Sequence, residues 1–187
     1  NLTNPRIQSA QRLKAASLGL AEDSPRLQNW NHAPFAYSNP EGTRFFPPER
    51  PCLELSDSPQ TALAVSVARR QAFMSRTNEP HIGLDMRMLR TPVSGKFVDL
   101  RGCSLELSRE ERLQLGAQVP KDADGILFRA PERPSATCIG ILKTELLGRS
   151  LQTIHYRFEW NGTQISRLYA FDDEGTVFTP EALAGPA

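Results

Sequence analysis

The sequence has no excess of charge of either sign: 22 Lys and Arg against 21 Asp and Glu give a formal net charge of +1 over 187 residues. Proteins that bind nucleic acid or an anionic membrane surface usually carry a concentrated basic face, so this balance argues against both partners. No apolar run approaches the ~18 residues of a transmembrane helix, and the start, NLTNPRIQSAQRLK, lacks the apolar core of a signal peptide. We therefore expect a cytoplasmic protein.

Cysteine is scarce as well. Cys52, Cys103 and Cys138 lie far apart, each beside apolar residues, which is typical of small core residues in a reducing compartment. A zinc site needs cysteines or histidines at close spacing, and the scattered cysteines and histidines offer none, so we expect no metal. The phosphate-binding patterns GxGxxG and GxxxxGK[ST] are missing too.

What is there is ordinary globular material, 39% hydrophobic and 23% charged, with the length of one domain. Helices are predicted after Asn4 and Pro5, over Pro59–Met74, and from a Ser108–Glu111 capping box to Gly116. Residues 129–134 read as a loop, and the chain from Thr179 as a frayed tail. The long predicted helix can bury Ala62, Leu63, Val67 and Phe73. The predicted strands are residues 52–55, 82–89, 96–100, 126–128, 138–142, 153–160 and 165–171, the last two joined by an Asn161-Gly162 hairpin turn.

Helices and strands mix without a regular βαβ rhythm. The predicted fold class is therefore α+β, a single domain over residues 1–187 with largely antiparallel sheets and flanking helices.

The stretch from Gly42 to Val65 places one cation and one carboxylate, Arg44 and Glu54, close to a helix that begins at Ser58. An arginine near a helix N-terminus suits an anionic ligand such as a phosphate. An Arg–Glu pair on a surface hairpin is the structural alternative. Strand alternation directs Glu54 away from Leu53 and Leu55, towards either a cleft or water.

Four segments of the chain resemble RES-domain proteins. Residues 42–48, GTRFFPP, resemble their GxRWNPPG opening, and residues 51–64, PCLELSDSPQTALA, resemble PxLYLAESPETALAE without a gap. Residues 97–100, FVDL, resemble the family's VLDL strand. DGILF at 124–128 and CIGIL at 138–142 resemble DGIxYPSxR…NxALF. The resemblance covers roughly residues 30–145 in the expected order.

This resemblance implies a fold similar to that of ADP-ribosyltransferases. RES proteins are typically toxins that consume NAD, either by degrading it or by transferring ADP-ribose, and many are neutralised by an antitoxin. The implied function is thus that of a bacterial toxin or effector domain with NAD as its substrate. Its implied partner is an antitoxin, an immunity protein or a host protein target, in the cytoplasm of the producing or target cell.

The family's active residues are an arginine, a tyrosine, a glutamate and a serine. When the resemblance is carried over position by position, the arginine is kept as Arg44. Glu54 stands at the tyrosine position, Val65 at the glutamate position and Ala130 at the serine position. Cleavage of the nicotinamide–ribose bond develops positive charge on the ribose, which a carboxylate stabilises. Val65 cannot supply that carboxylate, so Glu54 is interpreted as a relocated catalytic glutamate.

The expected site follows from this substitution. Arg44 clamps the pyrophosphate, Glu54 supports ribose activation, and Glu132 offers a second carboxylate. Two other functions stay open: a catalytically silent RES-like module that binds a nucleotide or a protein, and an enzyme of the same fold with another substrate. The remaining residues expected to bind NAD are Phe45 and Phe46, by ring stacking, together with Ser58 and Arg129.

Overall fold

The computed structural model describes residues 27–28, 30–172 and 174–184, so the helix predicted after Asn4 and Pro5 lies outside the described residues. In that described part the chain forms four α-helices and nine strands. The helices are α1 (Ala33–Ala36), α2 (Pro59–Met74), α3 (Arg109–Gln118) and α4 (Pro180–Leu183). The strands are β1 (Leu27–Gln28), β2 (Leu53–Ser56), β3 (Ile82–Arg90), β4 (Phe97–Asp99), β5 (Gly125–Ala130), β6 (Arg133–Ile141), β7 (Ser150–Trp160), β8 (Ile165–Phe171) and β9 (Val177–Phe178).

The strands form two mostly antiparallel sheets, so the α+β fold class is confirmed. One sheet has the order β1-β7-β8-β9, with β3 also paired to β7, and the other has the order β2-β6-β5-β4. β7 and β8 form the predicted hairpin. Its turn contains Gly162 at a φ of 98°, a conformation that glycine adopts without steric cost. β4 and β5 pair in parallel.

Residue contacts divide the described chain into two compact units. Unit 1 contains the described residues up to Leu55 together with residues 89–128 and 138–152. Unit 2 contains residues 56–88, 129–137 and the described residues from 153 onwards. A single domain over residues 1–187 stays a prediction. Among the helices of the described residues, none combines the length and the apolar character needed to cross a membrane.

The core of unit 2 packs one face of α2 with the inward side chains of β7 and β8. Leu63, Val67 and Met74 are buried on α2, and they share a face because their spacings of four and eleven residues bring them to nearly the same helical angle. Phe73 lies about 100° away around the helix and is 53% exposed, so its predicted burial is wrong. The strand members of this core are Tyr156, Phe158, Trp160, Ile165, Leu168 and Ala170.

In unit 1, one cluster of buried residues has two members. Ile141 and Leu147 are fully buried, and Leu53, Leu55 and Phe97 pack against them. Cys52 and Cys138 are also buried, and all three cysteines are free thiols. The two β2 leucines therefore face the unit's interior, which fixes the direction of the residue between them.

Three predicted boundaries are wrong. Residues 129–134 are not a loop, because β5 runs through Ala130 and β6 begins at Arg133, which leaves a two-residue turn. The C-terminal residues after Thr179 include α4, which Leu183 anchors at 1% exposure. The helix after Ser108 continues past Gly116 to Gln118. A glycine inside a helix does not have to end the helix. Gly116 instead allows the backbone of Phe45 to approach α3 closely.

The capping box of α3 supports a stability prediction. The Ser108 hydroxyl accepts from the Glu111 amide at 3.2 Å, and Glu111 Oε2 accepts from the Ser108 amide at 2.7 Å. Ser108→Ala should lower the free energy of unfolding by about 0.5–2 kcal/mol, because one helix amide loses its acceptor. Urea denaturation measures this loss. Ser94→Ala, at an exposed serine, is the matched control, and equal effects of the two substitutions would contradict the capping role.

Candidate functional site

Arg44 sits on a tight turn in unit 1. The Thr43 amide donates to the Phe46 carbonyl at 2.8 Å, which closes the turn around Arg44. Gly42, immediately before it, has a φ of 70°, and a Cβ there would lie 2.4 Å from the Phe46 carbonyl oxygen. Only glycine fits this position without strain. The sequence thus places Arg44 on a turn whose backbone path is closely defined.

Glu54 meets Arg44 within unit 1, so the structure brings together the two residues that spacing singled out. Leu53 and Leu55 face the core, and strand alternation directs Glu54 to the opposite face of β2. There, Glu54 Oε1 accepts a hydrogen bond from the Arg44 backbone amide at 2.8 Å. Both residues are half-buried. The hydrogen bond joins the carboxylate to the main chain of the arginine and holds the two residues in one corner.

Phe45 and Phe46 are core residues of unit 1, exposed by only 4% and 1%. The Phe45 ring meets Phe128 edge-on, with the ring centroids 5.2 Å apart. The Phe46 ring lies under the Arg50 guanidinium, 4.8 Å from Cζ to the ring centroid. Intramolecular packing therefore accounts for both rings, and their expected stacking on NAD has no exposed ring face to use in this structure.

Ser58, Arg129 and Glu132 belong to unit 2. Ser58 caps α2: its hydroxyl accepts from the Thr61 amide at 3.3 Å and shares a 2.7 Å hydrogen bond with the Thr61 hydroxyl. Arg129 is exposed and lies on β5 rather than in a loop, and Glu132 is half-buried in the turn after that strand. The roles in NAD binding and catalysis expected for these three residues stay predictions.

The two remaining positions taken over from the RES family also lie in unit 2. Val65 is half-buried on α2, and Ala130 is fully buried at the end of β5. Neither side chain can accept or donate a hydrogen bond. The polar chemistry of the family's glutamate and serine is thus missing at both positions.

A cavity of about 450 Å³ opens in unit 1 next to the turn that carries Arg44. Its size falls within the usual range of small-molecule sites. Thr43 and Pro47 of the turn form part of its wall, and α1 contributes Ala33 and Pro34. Tyr37, 60% exposed, also lines the cavity beyond α1, whereas Arg44 and Glu54 do not line it.

His32 lies directly before α1, and no sequence pattern marked it as a candidate site residue. It is 5% exposed, and within the described residues neither ring nitrogen makes a hydrogen bond. Burial lowers the pKa of His32, so its ring is neutral near pH 7.

The α+β fold, the Arg44–Glu54 corner and the cavity beside its turn describe a chain with a candidate small-molecule site. The RES domain family model matches residues 22–161. The chain belongs to the RES-domain family. It is also 60% identical, over 185 residues, to the uncharacterized protein y4oC of Sinorhizobium fredii strain NBRC 101917 / NGR234, and this match covers 99% of the chain and 80% of the relative.

Proposed function

We propose that this RES-family chain is an NAD-processing enzyme that cleaves the nicotinamide–ribose bond, with water or another group as the acceptor of ADP-ribose. The supporting observation is the Arg44–Glu54 corner, in which the family's arginine is kept and a carboxylate replaces its tyrosine. The pair combines the two kinds of group that NAD cleavage requires: a cation for the pyrophosphate and an anion for the ribose.

The chemistry assigns one role to each residue. When the bond between the nicotinamide nitrogen and ribose C1′ breaks, both bonding electrons leave with nicotinamide, which becomes neutral, and positive charge develops on the ribose. The Glu54 carboxylate stabilises that charge or holds the ribose hydroxyls. The Arg44 guanidinium binds the pyrophosphate with paired hydrogen bonds. Water then adds to C1′ and loses a proton, which gives ADP-ribose.

A toxin or effector role follows from the same chemistry. Because NAD loss harms the cell in which the enzyme is active, we propose an antitoxin, an immunity protein or a host protein target as its partner.

The second candidate function is a catalytically silent module that binds a nucleotide or a protein. Val65 and Ala130 favour it, because neither position retains a polar side chain. The two candidates differ in one measurable property, since only the enzyme releases nicotinamide.

The test is incubation of the purified protein with NAD while free nicotinamide is measured. Glu54→Gln is the informative variant, because glutamine keeps an oxygen that can accept from the Arg44 amide while the negative charge is removed. We expect nicotinamide release by the wild type, a lower rate for Glu54→Gln, and an unchanged rate for Glu49→Gln, the control at an exposed glutamate of the same segment. NAD binding detected by calorimetry without release would favour the silent module instead.

A further inference from the structure

Arg50 connects the segment that carries Arg44 to the C-terminal end of α3, within unit 1. Its Nη1 donates to the carbonyls of Gly116 and Val119, each at 3.0 Å, and its Nη2 donates to the carbonyl of Pro120 at 2.9 Å. The last carbonyls of a helix have no intrahelical amide partner, and they form the negative end of its dipole. Gly116 belongs to the last turn of α3 and also accepts from the Val119 amide, whereas Val119 and Pro120 follow the helix. One guanidinium therefore binds the chain where α3 ends.

The same side chain also holds the turn. The Arg50 guanidinium lies over the buried Phe46 ring, and the Arg50 amide donates to the Pro47 carbonyl at 3.0 Å. Arg50 thus fixes a residue only two positions after Arg44. The guanidinium of arginine can contact a ring and donate three hydrogen bonds in a rigid planar arrangement, which the ammonium group of lysine cannot reproduce.

The fit between the turn and α3 is close enough to exclude a side chain. A Cβ at Gly116 would lie 1.8 Å from the Phe45 carbonyl oxygen. Phe45 follows Arg44 directly in the chain, so the backbone on that side of Arg44 rests on the helix. On the other side, the turn closes between Thr43 and Phe46, and the Arg44 amide itself is held by Glu54.

From these contacts we infer that Arg50 is a positioning residue for the Arg44–Glu54 pair. It acts by fixing the turn against α3. This inference rests on the proposed function for its catalytic consequence, while its structural consequence is independent of NAD. If the turn loosens, the Arg44 backbone loses its defined position relative to the carboxylate that shares the corner.

The test compares Arg50→Lys with the wild type in two measurements. Hydrogen–deuterium exchange of a peptide covering residues 43–47 should become faster, because the turn loses its attachment to the helix. The kcat for NAD should fall by roughly 10- to 100-fold with a smaller change in KM, since a misplaced catalytic group costs rate at the chemical step. The control is Arg101→Lys, which alters an exposed arginine of the same unit that is paired with Asp99.

The outcomes separate this inference from the proposed function. Faster exchange in residues 43–47 supports the positioning role even if the wild type releases no nicotinamide, a result that would overturn only the proposed function. Unchanged exchange in those residues overturns the inference, whatever the activity. Faster exchange with wild-type kcat in an active enzyme overturns the catalytic part and leaves Arg50 a structural residue.

Discussion

Arg44→Ala should lower kcat/KM for NAD by about 10²- to 10³-fold, because the pyrophosphate loses a paired, charge-assisted hydrogen-bond donor. The substitution is well suited to a functional test. The hydrogen bond to Glu54 comes from the Arg44 backbone amide, which alanine retains, so the corner keeps its main-chain contact. Nicotinamide release over a range of NAD concentrations measures the effect. Arg44→Lys should be intermediate, since lysine keeps the charge and loses the paired geometry.

Arg90→Ala is the matched control, because Arg90 is an exposed arginine of the same unit. It should leave kcat/KM close to the wild-type value. If Arg44→Ala and Arg90→Ala behave alike in folded proteins, the pyrophosphate role of Arg44 is wrong. A loss confined to KM would assign Arg44 to NAD binding alone, whereas a loss in kcat would also place it in transition-state stabilisation.

Local patterns were sufficient to predict several elements. The bounds of α2 agree with the prediction at both ends, because Ser58 and Pro59 mark its start and the break after Met74 its end. The β7–β8 hairpin follows from alternation on both sides of Asn161-Gly162. The proximity of Arg44 and Glu54 could also be predicted from the sequence, because a turn and a short strand only ten residues apart have few ways to pack.

Features that depend on distant segments were missed. Phe45 and Phe46 resemble ligand-stacking rings in sequence, and their burial depends on Phe128 and on Arg50 with its helix. Arg50 carries no motif, and its carbonyl acceptors lie 66 or more residues away. One signal was present: Gly116 within a helical segment costs helix propensity and often marks a close backbone contact.

The residues that differ from the RES pattern fall into two groups, one in each unit. The carboxylate at Glu54 lies in the same unit as the retained arginine, and the two residues share a hydrogen bond. The apolar replacements, Val65 and Ala130, lie in unit 2. In unit 1 the proposed catalytic role rests on the carboxylate of Glu54, so the charge-removing glutamine variant tests it more directly than a truncation does.

Phe158→Ala should lower the free energy of unfolding by about 3–5 kcal/mol, the usual range for removing a buried phenylalanine side chain. Phe158 is fully buried in the core of unit 2 and lies opposite Leu168 in the β7–β8 pair. The loss would be a large share of a typical domain stability of about 5–15 kcal/mol. Urea denaturation followed by circular dichroism measures it, and limited proteolysis should show faster cleavage of the variant.

Phe73→Ala is the control for Phe158→Ala, because it removes the same kind of side chain from a position on α2 that is 53% exposed. The comparison therefore separates the effect of burial from the effect of residue type. We expect a change within about 0.5 kcal/mol, as for other surface substitutions. The contrast depends on which face of α2 packs on the sheet, since Leu63, Val67 and Met74 define that face and Phe73 lies outside it. If Phe73→Ala proves as damaging as Phe158→Ala, α2 must be rotated about its axis from the orientation described.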